Sequence, residues 1–276
     1  MRFSAILLAM GCLYYGQVFA APAQPQFINS SIKQKPTDLT GLVRLRFLTT
    51  TDFAPFNYLN TQGQLNGYNI DLARALCREL KLENICQIEA LPWNELQAAL
   101  DKGEGEAIIA GLTPTKDNRT KYDFSRPYLK FPARFIALKT VSADMKINDS
   151  DWEKPVGLIA NSKHADVFQK FFPDFKVQNF EDHEGMLKAL QQQEIAAIFD
   201  DGLALAFMLE DEEGHNCCHF VGKAYYSPQL NNNQMTITVT HNNKRLTRAF
   251  DYALSNLEKK GALNEIYMRH FPVSFY

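Results

Sequence analysis

Charge of a single sign is scarce in this sequence. Lys and Arg number 29 against 31 Asp and Glu, a formal net of −2, with no long run of either sign. Nucleic-acid binders normally carry a basic stripe, so that partner class is excluded. Long apolar runs are also lacking beyond the first twenty residues: none approaches the ~18 needed to cross a bilayer. The mature chain is therefore expected to be soluble. No G-x-S-x-G, H-E-x-x-H or Walker pattern is present, which removes the common hydrolase and nucleotide-binding signatures. What is present is apolar residues at 46% of 276, with 12% aromatic. That is ample for a core and close to the size at which chains divide into two lobes.

The N-terminus reads as an export signal. Arg2 supplies a minimal positive region, "AILLAM" and "CLYY" a short apolar one, and "VFA" a small-residue cleavage site with Val18 and Ala20 at −3 and −1. Gly11, Gly16 and Gln17 break the stretch, which is short for a membrane anchor. "AMGC" sets Gly11 before Cys12, a poor lipobox because of Ala9 and Met10, so cleavage after residue 20 is preferred over lipid anchoring at Cys12. Removing Arg2 with residues 1–20 takes the net charge from −2 to −3.

Cleavage leaves Cys77, Cys86, Cys217 and Cys218. An even count in an exported chain favours disulfides, and four cysteines allow three connectivities. Cys77 falls late in a predicted helix and Cys86 in the strand after it, so a 77–86 staple is expected. The other two are adjacent in "HNCCH", where a bridge would be vicinal. His215 and His219 flank them, but zinc-ligating cysteines are usually spaced two to four apart. No metal or other cofactor is expected.

Residues 21–42 are polar, Pro-containing and aperiodic, a loose leader. Order is expected from "LVRLRFLTT", where Val43, Leu45 and Phe47 alternate with arginines as in a strand. "YNIDLARALCREL" carries apolar residues at 70, 72, 73, 76 and 80, a helix face. "NELQAALDKG" is a helix ending near Gly103, and "EAIIAG" a short buried strand. Alternating strands and helices indicate the α/β class. "ALDKGEGEAIIAG" (99–111) also superimposes on "ALQQQEIAAIFDD" (189–201) at an offset of ninety, which sets Gly111 on Asp201. Two similar α/β lobes follow, each with polar groups where a strand ends, the usual place for ligands in open sheets.

On the first edge, "GLTPTKDNR" offers Thr113, Thr115 and Arg119, with a helical turn expected to begin in "TKDNRTKYDF". An arginine fork suits a carboxylate; the plainer alternative is a surface arginine paired with Asp117 or Asp123. On the second edge, Asp200 and Asp201 follow "AAIF"; a carboxylate there complements a cation or caps the next helix. An anion grip opposite a cation grip is the charge pattern of an α-amino acid.

These segments resemble those of the periplasmic amino-acid-binding proteins of ABC transporters, the family 3 extracellular solute-binding proteins. "TTDFAPFNY" with "GQLNGYNIDLARAL" resembles the family's opening, "AIIAGLTPTKDNRTKYDFSRPY" its carboxylate-binding segment, "AAIFDD" its amine-binding strand and "KKGALNEIYMRHF" its closing helix. The similarity spans about 43–272. It implies a two-lobe periplasmic-binding-protein (Venus-flytrap, type II) fold with a hinge and an interlobe cleft. Lobe 1 would comprise 43–134 plus 235–276 and lobe 2 135–234, with the hinge near "RFIALKT" and "QMTITVT". By position, Arg119 and Thr113 would hold the ligand carboxylate, while Gly111 and Asp201 hold the amine. Phe53 and Trp93 would sandwich the side chain, and Asn161, Ser162 and Lys163 would approach from the second lobe.

The resemblance further implies a small-molecule ligand, a permease partner, a monomer and a periplasmic location, and it supports the 77–86 bridge. The chain departs from the family at three points. Arg119 lies four residues after Thr115 where many members have three. Lys163 replaces a small hydroxyl residue, and Thr50 stands where binders of basic amino acids tend to carry an acid. Two other functions fit the scaffold: a dehydratase of cyclic carboxylic acids, with Asp200, Glu181 or His183 as the acid, or a soluble sensory protein.

Overall fold

The computed structural model describes residues 35–147, 152–230, 234–271 and 273–276, with backbone only at 213–215. The signal segment and Cys12 lie outside the described residues. The chain opens with β1 (Leu45–Thr49), β2 (Asp52–Phe53), β3 (Asn57–Leu59), β4 (Leu65–Asn66), α1 (Tyr68–Glu79) and β5 (Cys86–Ala90). Next come α2 (Leu96–Asp101), β6 (Ala107–Ile108), β7 (Tyr122–Phe124), β8 (Leu129–Lys130) and β9 (Ala133–Leu138). The middle holds β10 (Val156–Ile159), α3 (Lys163–Phe171), β11 (Val177–Phe180), α4 (His183–Gln191), β12 (Ala197–Asp201), α5 (Gly202–Glu210) and α6 (Glu212–Cys217). The chain closes with β13 (Cys218–Tyr225), β14 (Gln234–Met235), β15 (Thr238–Thr240), α7 (Lys244–Lys259) and α8 (Ala262–His270).

These elements form two lobes around two five-stranded sheets, ordered β5-β1-β6-β15-β7 and β11-β10-β12-β9-β13. Both have the same sense. Three parallel strands lie on one side, and the last two run successively antiparallel. The offset-ninety echo is thus a topological equivalence, because β6 and β12 are the central strands of their sheets.

The first lobe's core draws on the helix face read from the sequence: Ile70, Leu72, Ala73 and Leu76 are all fully buried. Gly67 ahead of α1 has φ 124°, and a Cβ there would sit 2.3 Å from the Phe56 carbonyl oxygen, so only glycine lets the chain enter the helix. The second lobe is filled by rings, with Phe135 within 6 Å of Phe168, Phe172, Phe199 and Tyr225 by centroid.

The first strand starts at Leu45 rather than Val43, which is 86% exposed. Leu39 and Leu42, at the end of the expected loose leader, pack onto the first core. The "RFIALKT" stretch lies in β9, a strand of the second sheet; the chain crosses between lobes beside the short β8–β14 ladder. Here the C-terminal tail bridges the two halves. The Tyr276 hydroxyl donates to the Lys130 carbonyl at 2.8 Å, Phe275 is buried against Phe131, and Val273 packs on the second core.

Candidate functional site

The first lobe carries a cavity of about 260 Å³ where β1, β5 and β6 end, lined by Thr50, Asp52, Phe53, Trp93, Ala110 and Gly111. Phe53 and Trp93 are 39% and 49% exposed, so neither is a core ring. Two half-exposed aromatics around a concave, largely apolar space are what a small ligand's side chain requires. Gly111 makes their approach possible. Its φ is +86°, and a Cβ would lie 2.9 Å from Phe53 Cε1.

Beyond Gly111 the loop is tied by Asn118, a residue the sequence reading passed over. The Thr115 amide donates to Asn118 Oδ1 at 2.6 Å, and Asn118 Nδ2 donates to the Thr113 carbonyl at 2.8 Å. The Asn118 amide in turn donates to Thr115 Oγ1 at 3.2 Å. The expected helical turn is a single 3-10 turn, Asn118–Thr120, so Thr115 serves the loop and not an anion at a helix start. Thr113 is half-buried, its hydroxyl 3.4 Å from the Gly111 and Gln234 carbonyl oxygens. Arg119 is exposed, with its guanidinium 5.7 Å from the Phe124 ring centroid. It pairs with neither Asp117 nor Asp123; Asp123 faces His241 at 3.2 Å. Among the described residues Arg119 has no carboxylate partner.

The second edge gathers where β10, β11 and β12 end. Asn161 adopts a left-handed φ of 56°, which turns the chain into α3. Ser162 caps that helix by accepting from the Ala165 amide at 3.0 Å, and Lys163 is exposed at its first turn. Asp201 caps α5 through Oδ1, which accepts from the Leu203 and Ala204 amides at 2.9 and 3.1 Å. Burial raises its pKa, the two amide bonds opposing.

Asp200 beside it is 5% exposed and holds three donors: His183 Nε2 at 2.7 Å, His164 Nδ1 at 3.1 Å and the Asp201 amide at 2.8 Å. Burial pushes its pKa up, but the bonds from His164, His183 and the amide prevail and hold it well below the carboxylate range. His183 is raised, chiefly by its bond to Asp200. His164 also approaches Asp201 Oδ2 at 3.8 Å. The sequence reading missed His164, although it directly follows the "NSK" loop.

The structure therefore groups Phe53, Trp93 and Gly111 around one cavity. It sets Thr113 and Arg119 on the loop leaving Gly111, and Asn161, Ser162, Lys163 and Asp201 on the second lobe's edge. None of that second group lines the cavity. Asp52 joins the lining without having been singled out. Disulfides join Cys77 to Cys86, fastening α1 to β5, and Cys217 to Cys218 at the α6–β13 junction. Among the described residues no cluster of His, Cys, Asp and Glu could hold a metal ion, and no helix is long and apolar enough to cross a membrane.

Residues 45–273 match the family described as bacterial extracellular solute-binding proteins, family 3. The arginine-binding periplasmic protein of Mannheimia haemolytica is 26% identical over 217 residues, 78% of this chain and 86% of that protein. The L-cystine solute receptor of Neisseria gonorrhoeae, solved in its unliganded open conformation, aligns at TM-score 0.66 and 19% identity, covering 83% of this chain and 92% of the other. An ancestral cyclohexadienyl dehydratase aligns at TM-score 0.69 and 18% identity, covering 84% and 93%. At these identities the two structures establish a shared fold.

Proposed function

The chain belongs to the bacterial extracellular solute-binding proteins of family 3, and from that membership we propose that it captures an amino acid or similar small carboxylate between its lobes, in the periplasm, for an ABC-transporter permease. One observation carries this reading: an exposed arginine that has no carboxylate partner among the described residues stands on the loop that leaves an aromatic-walled cavity. Arg119 takes the ligand carboxylate with help from Thr113. The Gly111 carbonyl and Asp201 take the amine, and Phe53 and Trp93 flank the side chain. The protein acts as a monomer, with lobes at 43–134 plus 235–276 and 135–234. Closure about the β8–β14 crossing brings Asn161, Ser162, Lys163 and Asp201 over the ligand, driven only by contacts made in the closed state. The relatives' names, arginine-binding among them, support an amino-acid ligand.

A dehydratase of cyclic carboxylates is the second reading. It is favoured by the half-exposed His183 imidazole backed by buried Asp200, an acid–base arrangement.

The test is a thermal-shift panel of amino acids and cyclic carboxylates on the protein and on Arg119→Ala. A ligand at a hundred times its Kd adds ~2.7 kcal/mol of stability. Loss of Arg119 is expected to weaken binding by roughly 2–5 kcal/mol, tens- to thousands-fold. Binding that survives Arg119→Ala undiminished would sink the site assignment, and turnover of a bound cyclic carboxylate would favour the enzyme.

A further inference from the structure

One residue lining the aromatic cavity, Thr50, has a hydroxyl whose hydrogen-bonding sense is set from the interior. Thr50 is 2% exposed and lines the cavity. Its Oγ1 accepts from Asn57 Nδ2 at 2.6 Å, Asn57 Oδ1 accepts from Asn69 Nδ2 at 2.6 Å, and Asn69 Oδ1 accepts from the Tyr128 hydroxyl at 2.7 Å. All four residues are buried. Every link points the same way, so Thr50 receives a donor from the interior and keeps its own proton. Among the described residues that proton has no acceptor. A hydroxyl has one proton to give, and a buried donor left unmet is costly. Asp52, on the same lining, is an exposed carboxylate without an ion-pair partner among the described residues.

We propose that this subsite selects an amino acid whose side chain ends in a carboxamide or ureido group, an inference that rests on the amino-acid reading above. The ligand carbonyl takes the Thr50 proton, its N–H groups turn to Asp52, and the flat group lies between Phe53 and Trp93. A guanidinium or ammonium suits Asp52 and the rings, but neither has an acceptor for Thr50. A side-chain carboxylate accepts from Thr50 but faces Asp52, and an apolar side chain leaves Thr50 unmet. The buried hydroxyl decides, because an exposed carboxylate such as Asp52 contributes little to an ion pair.

Citrulline and arginine isolate this difference, since they share length and shape and differ by a carbonyl oxygen against a charged nitrogen. Calorimetric titration of the protein with citrulline, glutamine and arginine is expected to show citrulline binding at least about tenfold tighter than arginine. Thr50→Val should bring the citrulline-to-arginine ratio toward one, and Thr50→Ser, which keeps the hydroxyl, should preserve it. Arginine binding as tightly as citrulline, or a ratio unmoved by Thr50→Val, overturns the inference. If Thr50→Val fails to fold with Asn57 left unmet, the wild-type ratio decides alone. Arginine preferred but lost in Arg119→Ala means that the site reading stands and only the side-chain assignment falls. Failure of all three ligands to bind overturns this inference, while the site reading stands or falls with the thermal-shift panel.

Discussion

Asp200→Asn tests the electrostatics of the second edge most sharply. The carboxylate is 5% exposed and receives hydrogen bonds from two imidazoles and an amide. Asparagine keeps the shape and one acceptor oxygen but loses the charge. A hydrogen bond to a charged group contributes about 1.5–3 kcal/mol, and breaking a buried pair costs about 3–5. His183 has 48% of its side chain exposed, so solvent screens its share. A loss of about 3 kcal/mol near pH 5.5 follows, or roughly 6–12 °C in Tm for a chain of this size.

The pH dependence supplies the stricter test. The pKa of Asp200 is lowered on folding, so its contribution is present above the unfolded value near 3.9 and fades as pH falls through the folded one. The pKa of His183 is raised, so its contribution is present below about 6.5 and fades as pH rises through the folded value. The stability gap between wild type and Asp200→Asn is therefore expected to peak between about pH 4 and 6.5 and to shrink on both sides. Urea unfolding at pH 3, 5.5 and 8.5 measures it. A gap below about 1 kcal/mol at pH 5.5, or one flat across the three values, would refute the reasoning.

Two further perturbations test other parts of the frame. Gly111→Ala forces a left-handed φ on a residue with a side chain, at about 1–2 kcal/mol, and drives its Cβ into Phe53. Stability by chemical denaturation should fall accordingly, and ligand affinity should drop about tenfold as the ring is displaced; unchanged affinity would remove Phe53 from the site. Replacing Cys77 and Cys86 by serine opens a loop with sequence separation 9, worth about 2–3 kcal/mol by chain entropy. The same exchange at Cys217 and Cys218, which closes no comparable loop, should cost far less. Equal losses for the two pairs would contradict that account.

The helix α1 was legible because its apolar residues recur at helical spacing, and its tertiary role is to bury that stripe. The equivalence of the two lobes was legible as the offset-ninety echo, because each half repeats one helix–turn–strand unit. Phe53, Trp93 and Gly111, which line the cavity, and Arg119 on the loop beyond it were picked out through the segments that carry them. The hairpin strands β2, β3 and β4, at two or three residues each, are too short to show a period. The Asn118 staple escaped notice because a side-chain bond to a neighbouring carbonyl leaves no periodic trace. Tyr128 and Asn69 stand 59 positions apart, and no local pattern joins them.

By itself the sequence determined what short-range physics controls: the alternation of elements, the α/β class, the helix faces and the residue types at each strand end. Only the tertiary structure decided what those residues do to one another. Asp200 and Asp201 look alike in "AIFDD", yet successive side chains in a strand face opposite ways. One is buried beneath two histidines, while its neighbour caps α5. The direction of the chain from Tyr128 to Thr50 is likewise set by which groups the fold brings within hydrogen-bonding distance, and that depends on packing between segments far apart in the sequence.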